Sequence, residues 1–133
     1  MPNDLSANTV RNVTLTIYRG GDLYFRLTLR DRQTKTPIDL TGYSFDGAIR
    51  RRFDDATVLA PFVVDEVDLV NGVVGFGIDA SVLDALEPEG GIQPALRDYP
   101  TFAFYDIYFT PPAPEDRRTR VIQGNVTLSL GAT

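Results

Sequence analysis

Apolar residues return at every second position through most of the chain. In VTLTIY (13–18), Val13, Leu15 and Ile17 fall on one side and Thr14, Thr16 and Tyr18 on the other, the period of a half-buried strand. Arg19-Gly20-Gly21-Asp22 breaks the run. LYFRLTL (23–29) resumes it, with Leu23, Phe25, Leu27 and Leu29 inward. A polar turn follows, in which Asp31 is suited to accept backbone amide hydrogen bonds and Pro37 fixes the exit. The stretch DLTGYSFDGAIRRR (39–52) then turns at Thr41-Gly42, where glycine admits a positive φ. Ile38 and Leu40 point inward before this corner. After it, Tyr43, Phe45, Gly47 and Ile49 share one side and Ser44, Asp46, Ala48 and Arg50 the other. Gly47 inside a strand marks a bulge or the close approach of a neighbouring segment.

Beyond Asp54-Asp55, VLAPFVV (58–64) and VDLV (67–70) predict a strand pair, with Pro61 confining its segment to an edge or a bulge. Asn71-Gly72 predicts a type I′ hairpin turn into VVGFGI (73–78), where Val74, Phe76 and Ile78 alternate with Val73, Gly75 and Gly77. Ser81 to Asp84 has the spacing of a capping box, so a short helix is expected near 81–86, ended by Pro88, with Val82, Leu83 and Leu86 covering one end of the core. Residues 87–100 read as a long Gly and Pro loop. TFAFYDIYF (101–109) is aromatic on both faces, as in a central strand or one with a face in an interface. PPAPEDRR (111–118) reads as a stiff hairpin tip, and RVIQGNVTLSL (120–130) as the closing strand. Seven to nine strands with one short helix predict an all-β fold: one antiparallel β-sandwich, immunoglobulin-like or jelly-roll-like, over residues 1–133. The segment up to Val10 holds too little apolar content to be tied down by its own domain, and is expected to order against a partner.

Composition removes chemistry rather than adding it. Among 133 residues there is no cysteine and no histidine, so a disulfide, a zinc-thiolate site, a cysteine nucleophile and a Ser-His-Asp triad are all excluded. The net charge of −5 opposes general nucleic-acid binding, which needs clustered cations. No apolar run approaches a membrane span, and MPNDLSANTV lacks the regions of a signal peptide, so a cytoplasmic origin is expected. The basic residues nevertheless cluster, at Arg50-Arg51-Arg52 and at Arg117, Arg118 and Arg120.

The first arginine cluster reads either as a solvated strand end whose charges discourage edge pairing, or as a contact for an acidic neighbouring subunit; nucleic-acid phosphates are the weakest option. Asp65, Glu66 and Asp68, or Asp54 with Asp55, offer oxygen ligands for calcium but no EF-hand spacing, and a glycosidase pair would need a cleft that nothing in the sequence predicts. Neither a cofactor nor a metal is expected. The aromatics at 102, 104, 105, 108 and 109, with Tyr18, Tyr24 and Tyr43, read as core before sugar platform. The sequons at Asn12 and Asn125 fall on predicted strands and are attributed to chance.

In order, IYRGGDLYFRLTL (17–29), PIDLTG (37–42), AIRR (48–51), NGVVGFGI (71–78), SVLDAL (81–86), YDIYF (105–109) and VIQGNVTL (121–128) span most of the chain. In that order and spacing the chain resembles the small β-sandwich domains of tailed-bacteriophage virion proteins, including N-terminal domains of baseplate and receptor-binding-apparatus subunits. The resemblance implies a non-enzymatic, multi-copy part of the virion, assembled in the host cytoplasm, with other virion proteins and copies of itself as partners and no membrane. The longer 87–100 loop and the proline tip at 111–114 depart from that pattern. Expected contact residues are Arg50, Arg51 and Arg52, Ile92 and Leu96 of the 88–100 loop, Pro111, Pro112, Arg117 and Arg118 of the tip, and Leu5 and Val10 of the N-terminal segment. Gly42, Asn71 and Gly72 are expected to serve as structural turns. The rival reading is a carbohydrate-binding module of a phage receptor-recognition apparatus.

Overall fold

A computed structural model describes residues 11–31, 33–88, 98–115 and 117–130. It is mostly β and forms two sheets. The first contains β1 (Arg11–Asn12), β2 (Leu15–Tyr18), β4 (Ser44–Arg50), β5 (Val58–Pro61), β8 (Asp98–Thr110) and β9 (Thr119–Ser129). Its order is β1-β9-β8-β4-β5, and β2 continues β1 along the same side of β9. The second holds β3 (Leu23–Thr28), β7 (Val73–Ile78) and β6 (Val63–Asp68), in the order β3-β7-β6.

The expected sandwich is present, but its large sheet is mixed. β1 and β2 run parallel to β9, with Leu15 beside Val126 and Ile17 beside Leu128, and all other pairs are antiparallel. Alternation fixes which face a strand buries and is silent on its direction. A second correction has the same origin. The segments 58–64 and 67–70 do not pair with each other: β5 ends the large sheet, β6 ends the small one, and only Phe62 lies between them. Phe62 is buried, and its amide donates to the Gly47 carbonyl at 3.0 Å. Pro61 does lie on an edge strand, where its missing donor costs no ladder bond.

The core fills the space between the sheets. Phe62 stands edge-on to Phe25, Phe76 and Tyr105, and Phe45 packs edge-on to Phe109 at 4.7 Å. Ile38, Leu40, Ile49, Val74, Ile78, Val126 and Leu128 complete it; among the remaining positions read as inward, Leu15, Leu23, Phe25, Leu27, Leu29, Tyr43 and Phe45 are only partly buried against it, and Val13 is exposed. Leu83 is buried and Leu86 packs against the core, whereas Val82 is exposed. β8 is central, as its aromatic faces suggested, and begins three residues before the expected strand.

Local turn chemistry departs from expectation twice. Asn71-Gly72 does not form a type I′ turn, because only Gly72 has a positive φ, at 75°. The connection is instead a 3-10 turn over Leu69–Asn71, and the pairing of Asp68 with Val73 encloses four residues, which need one left-handed position rather than two. The helix α1 spans Ala80–Leu83, so Ser81 lies inside it and does not cap it. Its first amide is satisfied from a distance, by the Asp22 carboxylate at 2.7 Å from Ala80 N, which makes a local cap unnecessary.

Two expectations hold in detail. Asp31 accepts from Gln33 N at 2.8 Å and Thr34 N at 3.0 Å, and those backbone bonds, Thr34's first, hold its carboxyl below the ordinary value of 3.8. Gly47 is a close approach: a Cβ there would lie 2.7 Å from Ile107 Cγ1 and 2.8 Å from the Asp106 carbonyl oxygen. Gly47→Ala must therefore push β4 off β8, and urea denaturation should show a loss of about 1–3 kcal/mol. Because the pKa of Asp31 is lowered in the folded state, its contribution is present above pH 3.8 and fades as pH falls below it. Asp31→Asn should accordingly lose less stability than the parent between neutral pH and pH 2, measured as the shift in urea midpoint.

Candidate interaction surfaces

Outward positions of the large sheet carry its chemistry. Asp46, Ala48 and Arg50 of β4 stand beside Tyr108, Asp106 and Phe104 of β8, and Gln123 of β9 stands beside Asp106 on the other side. Asp106 is 3% exposed although it points away from the core. Arg50 Nη1 donates to its Oδ1 at 3.2 Å, and Arg120 Nη2 lies 3.8 Å from Oδ2. Arg120 also donates to the Tyr108 hydroxyl from Nε at 3.0 Å and from Nη2 at 2.6 Å, and to Gln123 Oε1 at 2.8 Å. Gln123 Nε2 passes the chain on to Asn12 Oδ1 at 3.1 Å. Arg118 pairs with Asp46 at 2.9 Å and stacks 3.6 Å above the Tyr108 ring. Phe53, from the loop after β4, covers Phe104 at 4.7 Å. One network thus ties together β1, β9, β8, β4 and that loop.

The three arginines that end β4 have separate fates. Arg50 neutralises Asp106. Arg51 donates to the carbonyls of Phe102 and Glu87, both at 2.9 Å, and stacks on Phe102, so it staples β8 to the segment after α1. Arg52 is exposed. Of the tip, Arg117 and Pro112 are exposed, Pro111 is half-buried, and Pro112 backs onto Gly42, whose φ is 85° and whose missing Cβ would lie 3.3 Å from it. Ile92, Leu96, Leu5 and Val10 lie outside the described residues.

Asp106, Phe53 and Gln123 carry no candidate role in the sequence, and Tyr108, expected in the core, lies instead on the outer face beside Asp46. The available signal was a lone aspartate in the aromatic run YDIY, at an outward position of a central strand; its arginine partners lie 56 and 14 residues away and become visible only with the pairing. Tyr105 is buried in the core, as expected. Its hydroxyl donates to the Val13 carbonyl at 2.6 Å, and burial pushes it up to about 12.

The small sheet's outer face is sparser. Tyr24, Gly77 and Val63 form one row across it, Arg26, Gly75 and Asp65 the next, and Thr28, Val73 and Asp68 the third. The Tyr24 ring leans over the two glycines and its hydroxyl donates to Asp65 Oδ2 at 2.8 Å, while Arg26 Nε donates to the Tyr24 oxygen at 3.3 Å. Tyr24 remains 48% and Val63 69% exposed. Among the described residues no group of three or more acidic side chains could hold a metal ion, and no helix is long and apolar enough to cross a membrane.

The Asp106 network predicts a coupled loss. Arg50→Met should cost about 1.5–3 kcal/mol, the range for a hydrogen bond to a charged group. Arg50→Met with Arg120→Met should cost more than the two single changes summed, because the buried carboxylate then loses its last counter-charge; urea denaturation of the four proteins in a cycle measures the excess. No protein-family model and no curated protein gives a match to this chain.

Proposed function

We propose that this chain is a non-enzymatic structural protein of a tailed-phage virion, an adaptor or decoration subunit that assembles through strand edges and loops with other virion proteins. The observation that carries the reading is how the surface is divided. Arginines and carboxylates of the large sheet's outer face are bonded to one another, which makes them a brace. The strands that end both sheets on one side, β5 and β6, instead present Val58, Pro61 and Val63 to solvent on either side of the buried Phe62. Apolar side chains grouped on a rim favour a protein partner, and the braced sheet supplies the stiffness that a building block requires. The ordered motifs that resemble phage sandwich domains add the particle context.

Exposed Tyr18 and Tyr24 favour the rival reading, a carbohydrate-binding module of the receptor-recognition apparatus. The two readings separate in one set of measurements. Size-exclusion chromatography with light scattering, with the chain mixed in turn with each structural subunit of the same particle, should yield a stable complex with at least one of them. Val58→Asp should weaken that complex by about tenfold or more, and a glycan array should stay blank. A positive array with no protein complex would reverse the ranking.

A further inference from the structure

We propose that the outer face of the small sheet docks a second copy of this chain, with a two-fold axis lying in the interface along β7. The inference rests on the reading of the chain as an assembly module and names one partner and one surface for it.

β3 contributes Tyr24, Arg26 and Thr28, β6 contributes Val63, Asp65 and Asp68, and the middle strand contributes Gly77, Gly75 and Val73. A two-fold axis along β7 turns one face over onto the other and exchanges the outer columns, while each row stays opposite itself. Tyr24 of one copy then meets Val63 of its partner, Arg26 meets Asp65, and Thr28 meets Asp68. Every contact is made twice, as an isologous interface requires. The columns are complementary to each other in charge and in apolar character, so the face is complementary to itself. A uniformly acidic or basic partner would meet like charge along one column.

The glycine column explains how the faces could approach. No side chain rises from Gly75 or Gly77, and the Tyr24 ring fills that strip with one side down on the backbone and the other open. The open side is where a partner's Val63 methyls would pack. Within one copy, Arg26 and Asp65 both bond the Tyr24 hydroxyl, which holds their charges at fixed points on either side of the strip. The strands of the two sheets would run close to parallel, within the aligned class of sheet packing. Three strands offer a patch below the size of a standard interface, so the dimer should be weak alone and reinforced by repetition in an assembly.

Sedimentation velocity of the full chain from about 10 μM to about 1 mM, in low and high salt, tests this. The expected result is a monomer–dimer equilibrium that weakens with salt. Val63→Asp and Arg26→Asp should each raise the dimer Kd by about tenfold or more, while Arg26→Asp combined with Asp65→Arg should restore it, because the swapped pair is again self-complementary. Circular dichroism melts establish that each variant is folded. A chain that stays monomeric throughout, or a dimer indifferent to Val63→Asp and to the charge swap, overturns the proposal. A monomer that still binds another virion subunit overturns this inference and leaves the proposed function standing; a dimer with the expected variant pattern that binds no virion subunit does the reverse.

Discussion

A carboxylate sealed under a sheet face organises the larger half of this molecule. Taking a charged group out of water costs several kcal/mol unless opposite charge and hydrogen bonds replace the solvent. Asp106 is in that position, and the two guanidiniums that approach it come from strands on opposite sides of β8. The pair constrains how β4 and β9 sit against the central strand. Through Arg120 the constraint passes to Tyr108 and Gln123, and through Gln123 to Asn12 on β1. Apolar packing between the sheets supplies most of the driving force, and the network adds lateral specificity that a non-directional core does not provide.

The N-terminal strands depend on the same neighbourhood from the inner side. Among the described residues β1 and β2 pair only with β9, and Val13 sits at the joint between them. Its amide donates to the Gln123 carbonyl at 2.9 Å, and its carbonyl accepts from the Tyr105 hydroxyl. Gly124 lies directly below: a Cβ there would run into the Val13 carbonyl and come within 3.2 Å of the Tyr105 ring. Tyrosine, glycine and the kink at Val13 are therefore one device, in which a buried hydroxyl finds a partner and a terminal strand finds its register. At the other end of β2, Arg19 donates to the carbonyls of Asp84 and Leu86, and Gly20 N donates to the Asp84 carboxylate, so the turn out of the large sheet is clamped to the segment after α1.

What could be read from the residues follows from this division. Alternation located the strands and their buried faces, since a period of two is written locally: Val74, Phe76 and Ile78 are buried, as are Ile38 and Leu40 before the corner at Gly42. Direction and partner are long-range properties, which is why the parallel β1 and β2 and the separation of β5 from β6 were missed. The helix start was misread for a related reason, because its amide is satisfied by Asp22, 58 residues earlier. The three arginines were legible as a cluster and not as individuals. Arg50 and Arg51 have partners at residues 106, 102 and 87, and sequence neighbours gave no hint of that.

The two outer faces differ in kind. On the large sheet, long side chains cross from strand to strand and cover the backbone, so a partner would have to compete with bonds that are already made. The middle strand of the small sheet offers glycine at two successive outward positions, and the only ring that crosses it leaves its upper side to water. The charges that such a face must desolvate are Arg26, Asp65 and Asp68; the first two already share the Tyr24 hydroxyl, and Asp68 accepts from Asn71 Nδ2 at 2.8 Å. Ordering costs on association are correspondingly small, because the ring and the two charges are held before a partner arrives. The braced sheet gives the molecule a fixed shape, and the bare sheet with its valine rim gives it a surface on which that shape can be used.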